Sequence, residues 1–111
     1  MAVIPKRLVA GSQLTAVAAT YYTATAVTTR IDACALTNTT AGAVTATVHL
    51  VPSGGTATVS NCVMSAKSLA AGETVTVAGA IGQWLAAGGT LQALASAGAS
   101  ITLVSSGVEF T

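Results

Sequence analysis

Short segments with the composition of β-strands recur along the whole chain, with turn residues between them at intervals of about ten residues. The clearest is AVTATVHLV, in which every second residue is apolar: Val44, Ala46, Val48 and Leu50. Such alternation is typical of a strand with one buried face. Roughly seven or eight strands of this kind predict an all-β fold. We expect a single antiparallel β-sandwich, of the jelly-roll or immunoglobulin-like type.

The turn residues divide the chain into segments whose pairing can also be predicted. Strands are expected at residues 20–27, 29–38, 43–51, 57–69, 74–77, 90–98 and 100–110. The turn sequence NTTAG separates the second and third of these, which are predicted to form an antiparallel hairpin. Gly107 is predicted to mark a bulge, because the apolar alternation changes phase after it.

One short helix is predicted near residues 80–87. Ile81, Trp84 and Leu85 have the i, i+3, i+4 spacing of one helical face, and Gly88 can end the helix in a left-handed conformation. This spacing also makes Trp84 a predicted core residue rather than part of a ligand site.

The length of 111 residues suits one domain. Residues 1–10 are predicted to be an extended N-terminal arm, and residues 11–111 the β-sandwich domain. Within the arm, Pro5 opposes helix formation. Lys6 and Arg7 are expected to be solvated, as two adjacent cations usually are.

Charged residues make up 6 % of the chain, against about 25 % in an ordinary soluble domain. Hydrophobic residues make up 52 %, a combination that excludes disorder. The net charge of +1 gives no general attraction to nucleic acid or to an anionic membrane. No apolar run reaches the roughly 18 residues of a membrane-spanning helix, and the N-terminus does not resemble a signal peptide. We therefore expect synthesis in a cytoplasm.

Few side chains are available for catalysis: one His, one Asp, two Glu and two Cys. A Cys34–His49 pair would need both side chains on one face. Alternation instead places Cys34 with Leu36 toward the core and His49 on the polar face of its strand. No catalytic, cofactor-binding or metal-binding residue is predicted. Cys34 and Cys62 are expected to be buried free thiols, with a disulfide between them as the alternative.

The remaining charged residues have simple structural interpretations. Arg30 and Asp32 have the spacing of a surface ion pair on a strand. Glu73 lies in a predicted turn, where a solvated carboxylate is usual. Glu109 could contact a neighbouring subunit. The glycosylation sequon at Asn38 matters only in a secretory pathway.

Strand faces rich in Thr, Ser and Ala would favour association, because charged residues that usually protect a β-protein are rare. Thr45 and Thr47 are therefore expected to form contact surface for a neighbouring subunit. The chain is predicted to be a homo-oligomer.

The motifs KRLVAGSQL, NTTAGAVTATVHLVPSGG, LAAGETVTV and ITLVSSGVE resemble a pattern in small structural proteins of tailed bacteriophages. This resemblance implies a non-enzymatic β-sandwich in the virion, as head decoration, neck, collar, tail or fibre component. It also implies other virion proteins (capsid, portal or neck, and tail components) as partners. The alternative is a carbohydrate- or receptor-binding module of a tail or fibre. Its candidate residues are one of Tyr21 and Tyr22, of which the other is predicted to be core, together with the loop 52–56.

Overall fold

The computed structural model describes residues 2–111, which form nine antiparallel β-strands and two short 3₁₀ turns. The strands are β1 Val3–Gln13, β2 Ala19–Thr23, β3 Thr28–Asn38, β4 Val44–Val51, β5 Cys62–Leu69, β6 Thr74–Thr76, β7 Trp84–Leu85, β8 Thr90–Ala95 and β9 Ile101–Phe110. The 3₁₀ turns are Val59–Asn61 and Ala78–Ala80. The predicted all-β sandwich is confirmed.

The strands are divided between two sheets. Sheet I has the order β1-β9-β3-β6, with β7 also paired to β3, and sheet II has the order β2-β8-β4-β5. When β6 and β7 are counted as one interrupted strand, the first strand pairs with the last, the second with the next to last, and so on inward. This is a long hairpin rolled up on itself, so the sandwich has the topology of a jelly roll.

The core lies between the two sheets and consists almost entirely of aliphatic side chains. Its largest fully buried members include Leu14, Ile31, Leu36, Leu69, Leu91, Ile101 and Leu103. In sheet II the core-facing residues Ala46, Ala93 and Ala95 are small. Alanines on one sheet allow close approach of the leucines and isoleucines on the other.

The predicted hairpin over residues 29–51 is wrong. Its two strands exist as β3 and β4, but β3 belongs to sheet I and β4 to sheet II. The turn sequence NTTAG connects the sheets instead of reversing the chain within one of them.

The connecting loop is held by the side chain of Asn38, which is fully buried. Its amide Nδ2 donates to the carbonyl oxygens of Gly42 (2.8 Å) and Leu69 (3.0 Å). Its Oδ1 accepts from the backbone N–H (3.0 Å) and the hydroxyl (2.7 Å) of Thr40. Asn38 therefore fixes the connecting loop and attaches it to the end of β5.

The predicted helix near residues 80–87 is also wrong. A 3₁₀ turn ends at Ala80, Gly82 has a φ of 79°, and Trp84–Leu85 forms β7 against β3. Left-handed backbone at Gly82 interrupts a helix, and the N–H of Gly82 donates to the carbonyl of Ile31 at 2.7 Å. Leu85 is buried, but Trp84 is 55 % exposed, so Trp84 is not the core residue that was predicted.

A bulge lies opposite Gly107, where the register between β3 and β9 shifts between Ile31 and Ala33. The extra residue is Asp32 on β3, so the predicted irregularity is present but belongs to the neighbouring strand. Residues 3–10, assigned above to an arm, are extended and are hydrogen-bonded to β9 as part of β1.

Candidate functional site

The outer face of sheet I contains an area of small uncharged side chains. We call this area the neutral face; it consists of Ala35, Thr37, Thr74, Thr76, Thr102 and Val104. Cross-strand partners point to the same side, and the buried Leu36 and Leu103 alternate with them toward the core. Val104, which lies on β9, is 39 % exposed. All six side chains are short and uncharged.

The sheet edges, in contrast, are protected. The edge strand β1 contains Pro5 and Lys6 and two register shifts against β9. The edge strand β5 contains Lys67, two register shifts against β4 and a left-handed residue, Ala66. The other edges are formed by short strands: β2 with 5 residues, β6 with 3 and β7 with 2. These are the features by which β-proteins avoid edge-to-edge pairing.

Thr45 and Thr47 lie on the outer face of sheet II and are half-buried. The Thr47 hydroxyl accepts a hydrogen bond from the N–H of Ala66 (3.0 Å), and the N–H of Thr45 donates to the Ser96 hydroxyl (3.0 Å). Thr47 therefore stabilises the bulge at Ala66 within the chain. Sequence reasoning missed this role, because the partner lies in another strand.

His49 follows Thr45 and Thr47 in alternation, but the segment 58–61 covers it and leaves only 7 % of it exposed. Its Nδ1 lies 3.0 Å from both the Thr58 carbonyl oxygen and Asn61 Oδ1. Since the carbonyl can only accept, Nδ1 carries the proton and donates. His49 thus supports the loop after β4.

The two cysteines are free and lie in different sheets. Cys34 is buried in β3, where burial raises the pKa of its thiol to about 11. Cys62 is only partly buried, contrary to expectation, and its thiol donates to the carbonyl of Met64. The cross-strand partner of His49 is Cys62 rather than Cys34. No hydrogen bond joins His49 to either thiol among the described residues.

Arg30 forms the ion pair with Asp32 that was predicted, with Nε 2.8 Å from Oδ1. This hydrogen bond and the negative charge of Asp32 raise the pKa of Arg30. The guanidinium also lies over the rings of Trp84 (5.8 Å) and Phe110 (5.9 Å), whose centroids are 5.2 Å apart. These contacts hold the exposed indole in place on the outer side of β7.

Glu109 makes its contacts within the chain and joins the two sheets. It accepts hydrogen bonds from the Tyr22 hydroxyl (2.5 Å) and from Lys6 Nζ (3.3 Å). Tyr22 belongs to sheet II and is buried, which confirms that one of the two tyrosines is core. Burial raises the pKa of Tyr22 to about 12. Because the single hydroxyl proton of Tyr22 is donated to Glu109, the Thr29 hydroxyl donates to Tyr22 at 2.6 Å.

The hydrogen bond from Tyr22 lowers the pKa of Glu109 below its ordinary value of 4.5. A carboxylate with a lowered folded-state pKa stabilises the fold above its unfolded-state pKa, and this contribution is lost as pH falls through the folded-state value. We expect Glu109→Gln to lower the free energy of unfolding by about 1 kcal/mol at pH 7. This difference should shrink as the pH is lowered below 4.5 and vanish once Glu109 is protonated in the folded state as well. Urea denaturation across this range measures it.

Tyr22→Phe provides the control, since it keeps the ring and removes the hydroxyl. In the Tyr22→Phe background, Glu109→Gln should have a smaller effect at pH 7. An undiminished effect would show that Tyr22 does not stabilise the carboxylate.

A cleft of about 430 Å³ opens between β7 of sheet I and the loop after β4 and the start of β5 in sheet II. Leu50, Val63 and Leu85 form its apolar part, and all three pack against the core. Ser53, Ser60, Gln83 and Trp84 are exposed members of its lining. Ser53 belongs to the loop 52–56, but Tyr21 and Tyr22 do not line the cleft.

Among residues 2–111, no group of three His, Cys, Asp or Glu residues is placed to hold a metal ion. The same residues contain no helix with the length and hydrophobicity needed to span a bilayer.

No protein-family model matches the sequence, and no curated protein matches it either. Among solved structures, a chain from the structure of infectious bursal disease virus, Gx strain, is similar over 97 % of this chain. The sequence identity is 19 % and the TM-score is 0.45. This chain covers 30 % of that viral chain, so the comparable part is less than a third of it.

Proposed function

We propose that this protein is a non-enzymatic structural component of a bacteriophage virion. It self-assembles through low-charge β surfaces, namely the neutral face of sheet I and the outer face of sheet II around Thr45, at the head surface or the head–tail neck or collar. Its partners are further copies of the chain and other virion proteins.

The observation that carries the proposal is the contrast between faces and edges. Lys6, Lys67 and Pro5 stand on edge strands, whereas the neutral face carries no charge. A face of Ala, Thr and Val is easily desolvated and lets two flat surfaces approach closely. The fold class agrees with this role, because jelly rolls occur in viral capsid proteins; they also occur in lectins, so fold alone does not decide function. The bacteriophage assignment is supported by the sequence motifs described above.

A lysine placed on a face should disrupt assembly without unfolding the chain. We expect Val104→Lys, on the neutral face, and Thr45→Lys, on sheet II, each to lower the oligomeric mass measured by light scattering. An unpaired ammonium at a packed interface weakens association by about 2–5 kcal/mol, or at least about thirtyfold. Thr45 is preferred to Thr47 because the Thr47 hydroxyl supports the bulge at Ala66.

Ala97→Lys is the matched control, since it adds the same charge in the exposed turn between β8 and β9. It should leave the oligomer intact. A monomeric wild-type protein at high concentration, or a normal oligomer from both face variants, would refute assembly through these faces.

A further inference from the structure

The cleft beside β7 combines three properties that point to one kind of ligand. Its lining contains no charged residue. This composition does not favour phosphates, nucleotides or acidic and basic peptides, which need a charged partner. Its volume of about 430 Å³ lies within the range of ligand pockets, roughly 300–1,000 Å³. A small neutral molecule suits it best.

The polar groups of the lining are of two kinds. The side chain of Asn61 already forms hydrogen bonds within the chain: its Oδ1 accepts from the N–H of Thr58, and its Nδ2 donates to the Thr56 carbonyl. The side chains of Ser53, Ser60 and Gln83 make no hydrogen bond to any of residues 2–111, and all three are exposed. Two hydroxyls and one amide are thus available, each able to donate and accept. A ligand rich in hydroxyl groups would satisfy them.

Trp84 supplies the third property. Its side chain is 55 % exposed although it is the largest apolar residue of the chain. Trp84 is one of the residues that line the cleft, and Phe110 and Arg30 pack against its indole on the outer side of β7, so little side-chain entropy would be lost on binding. An aromatic side chain near hydroxyl and amide groups that have no hydrogen-bond partner in the chain suits a ligand with both an apolar C–H face and polar edges.

We propose that this cleft binds a neutral saccharide unit, with Trp84 as the stacking surface and Ser53, Ser60 and Gln83 as hydrogen-bonding partners. The site requires residues of one chain only. It therefore does not depend on the proposed assembly, and it would give a virion component a means of attaching to a glycan surface.

The experiment uses the fact that Trp84 is the only tryptophan, so intrinsic fluorescence reports directly on the cleft. The probes are neutral oligosaccharides of glucose, galactose, rhamnose or N-acetylglucosamine, titrated into the intact protein. We expect at least one of them to give a saturable change in Trp84 emission. Calorimetry should show binding weakened about fivefold to tenfold in Trp84→Ala and severalfold in Gln83→Ala.

Val17→Ala, an exposed apolar residue of the β1–β2 loop at the opposite end of the sandwich, is the control and should bind like the wild type. Circular dichroism on each variant establishes that it is folded. The proposal is overturned if none of the oligosaccharides binds, or if a folded Trp84→Ala variant binds as tightly as the wild type.

Discussion

Replacing Gly107 by alanine should lower the free energy of unfolding by at least about 3 kcal/mol, the largest effect we expect from a single methyl group in this chain. A Cβ on Gly107 would overlap the carbonyl oxygen of Arg30 and lie 3.1 Å from its carbonyl carbon. Both are backbone atoms of β3, so no side-chain rotation can relieve the overlap. The central pairing of sheet I, between β3 and β9, would have to separate at this point. Thermal or urea unfolding at a fixed protein concentration measures the loss.

Gly42→Ala is the matched control. A Cβ at Gly42 meets no atom within 4 Å. Its stability should be unchanged or raised by up to about 1 kcal/mol, because alanine restricts the unfolded chain. If the two glycine variants were equally stable, close approach of β3 to Gly107 could not be the reason for glycine there.

Asn38→Ala should lower the free energy of unfolding by about 2–4 kcal/mol. It removes four hydrogen bonds and leaves the carbonyl of Leu69 and the N–H of Thr40 without these partners. Asn38→Asp is the more specific test, because the aspartate side chain has nearly the same shape as asparagine and keeps the oxygen that accepts from Thr40. It places a negative charge 3 Å or so from carbonyl oxygens that need a donor. We therefore expect it to be at least as destabilising at pH 7 and to recover partly in acid, where the protonated carboxyl can donate.

Gln13→Ala serves as the reference for loss of an exposed amide. Its side chain makes only a long hydrogen bond of 3.5 Å to Thr39, and its removal should change stability by less than about 0.5 kcal/mol. Urea denaturation of the three variants compares them on one scale. A loss no larger in Asn38→Ala than in Gln13→Ala would remove Asn38 as the element that directs the chain between sheets.

The strands could be predicted because a half-buried strand has alternating apolar and polar residues, and this pattern can be recognised within each segment separately. Their pairing could not. β3 and β4 lie in different sheets, and the Asn38 amide that holds their connecting loop bonds to Leu69, 31 residues further along the chain. The spacing of Ile81, Trp84 and Leu85 fits a helix as well as a short strand after a glycine turn, and only pairing with β3 selects the strand.

The candidate site was predictable to a smaller extent. The loop 52–56 was identified, and two of its residues, Pro52 and Ser53, line the cleft. Trp84 was assigned to the core because it shares a helical spacing with Ile81 and Leu85. Its exposure follows from the outward position of the first residue of a two-residue strand. His49 was placed on the correct face of its strand. Its burial could not be predicted, because residues 58–61, which cover it, belong to a loop outside the alternating pattern.

The position of β9 in sheet I has a consequence for the order of folding. Strands β2, β8, β4 and β5 complete sheet II once residue 95 has been made, whereas β1 and β3 do not pair with each other and need β9 between them. Val3 pairs with Phe110, so the contact that completes sheet I closes a loop of almost the whole chain. Such distant pairings form slowly, because the entropy of loop closure is lost before the contacts form. During synthesis, the edges of β1 and β3 that pair with β9 must therefore stay open until residues 101–110 emerge from the ribosome.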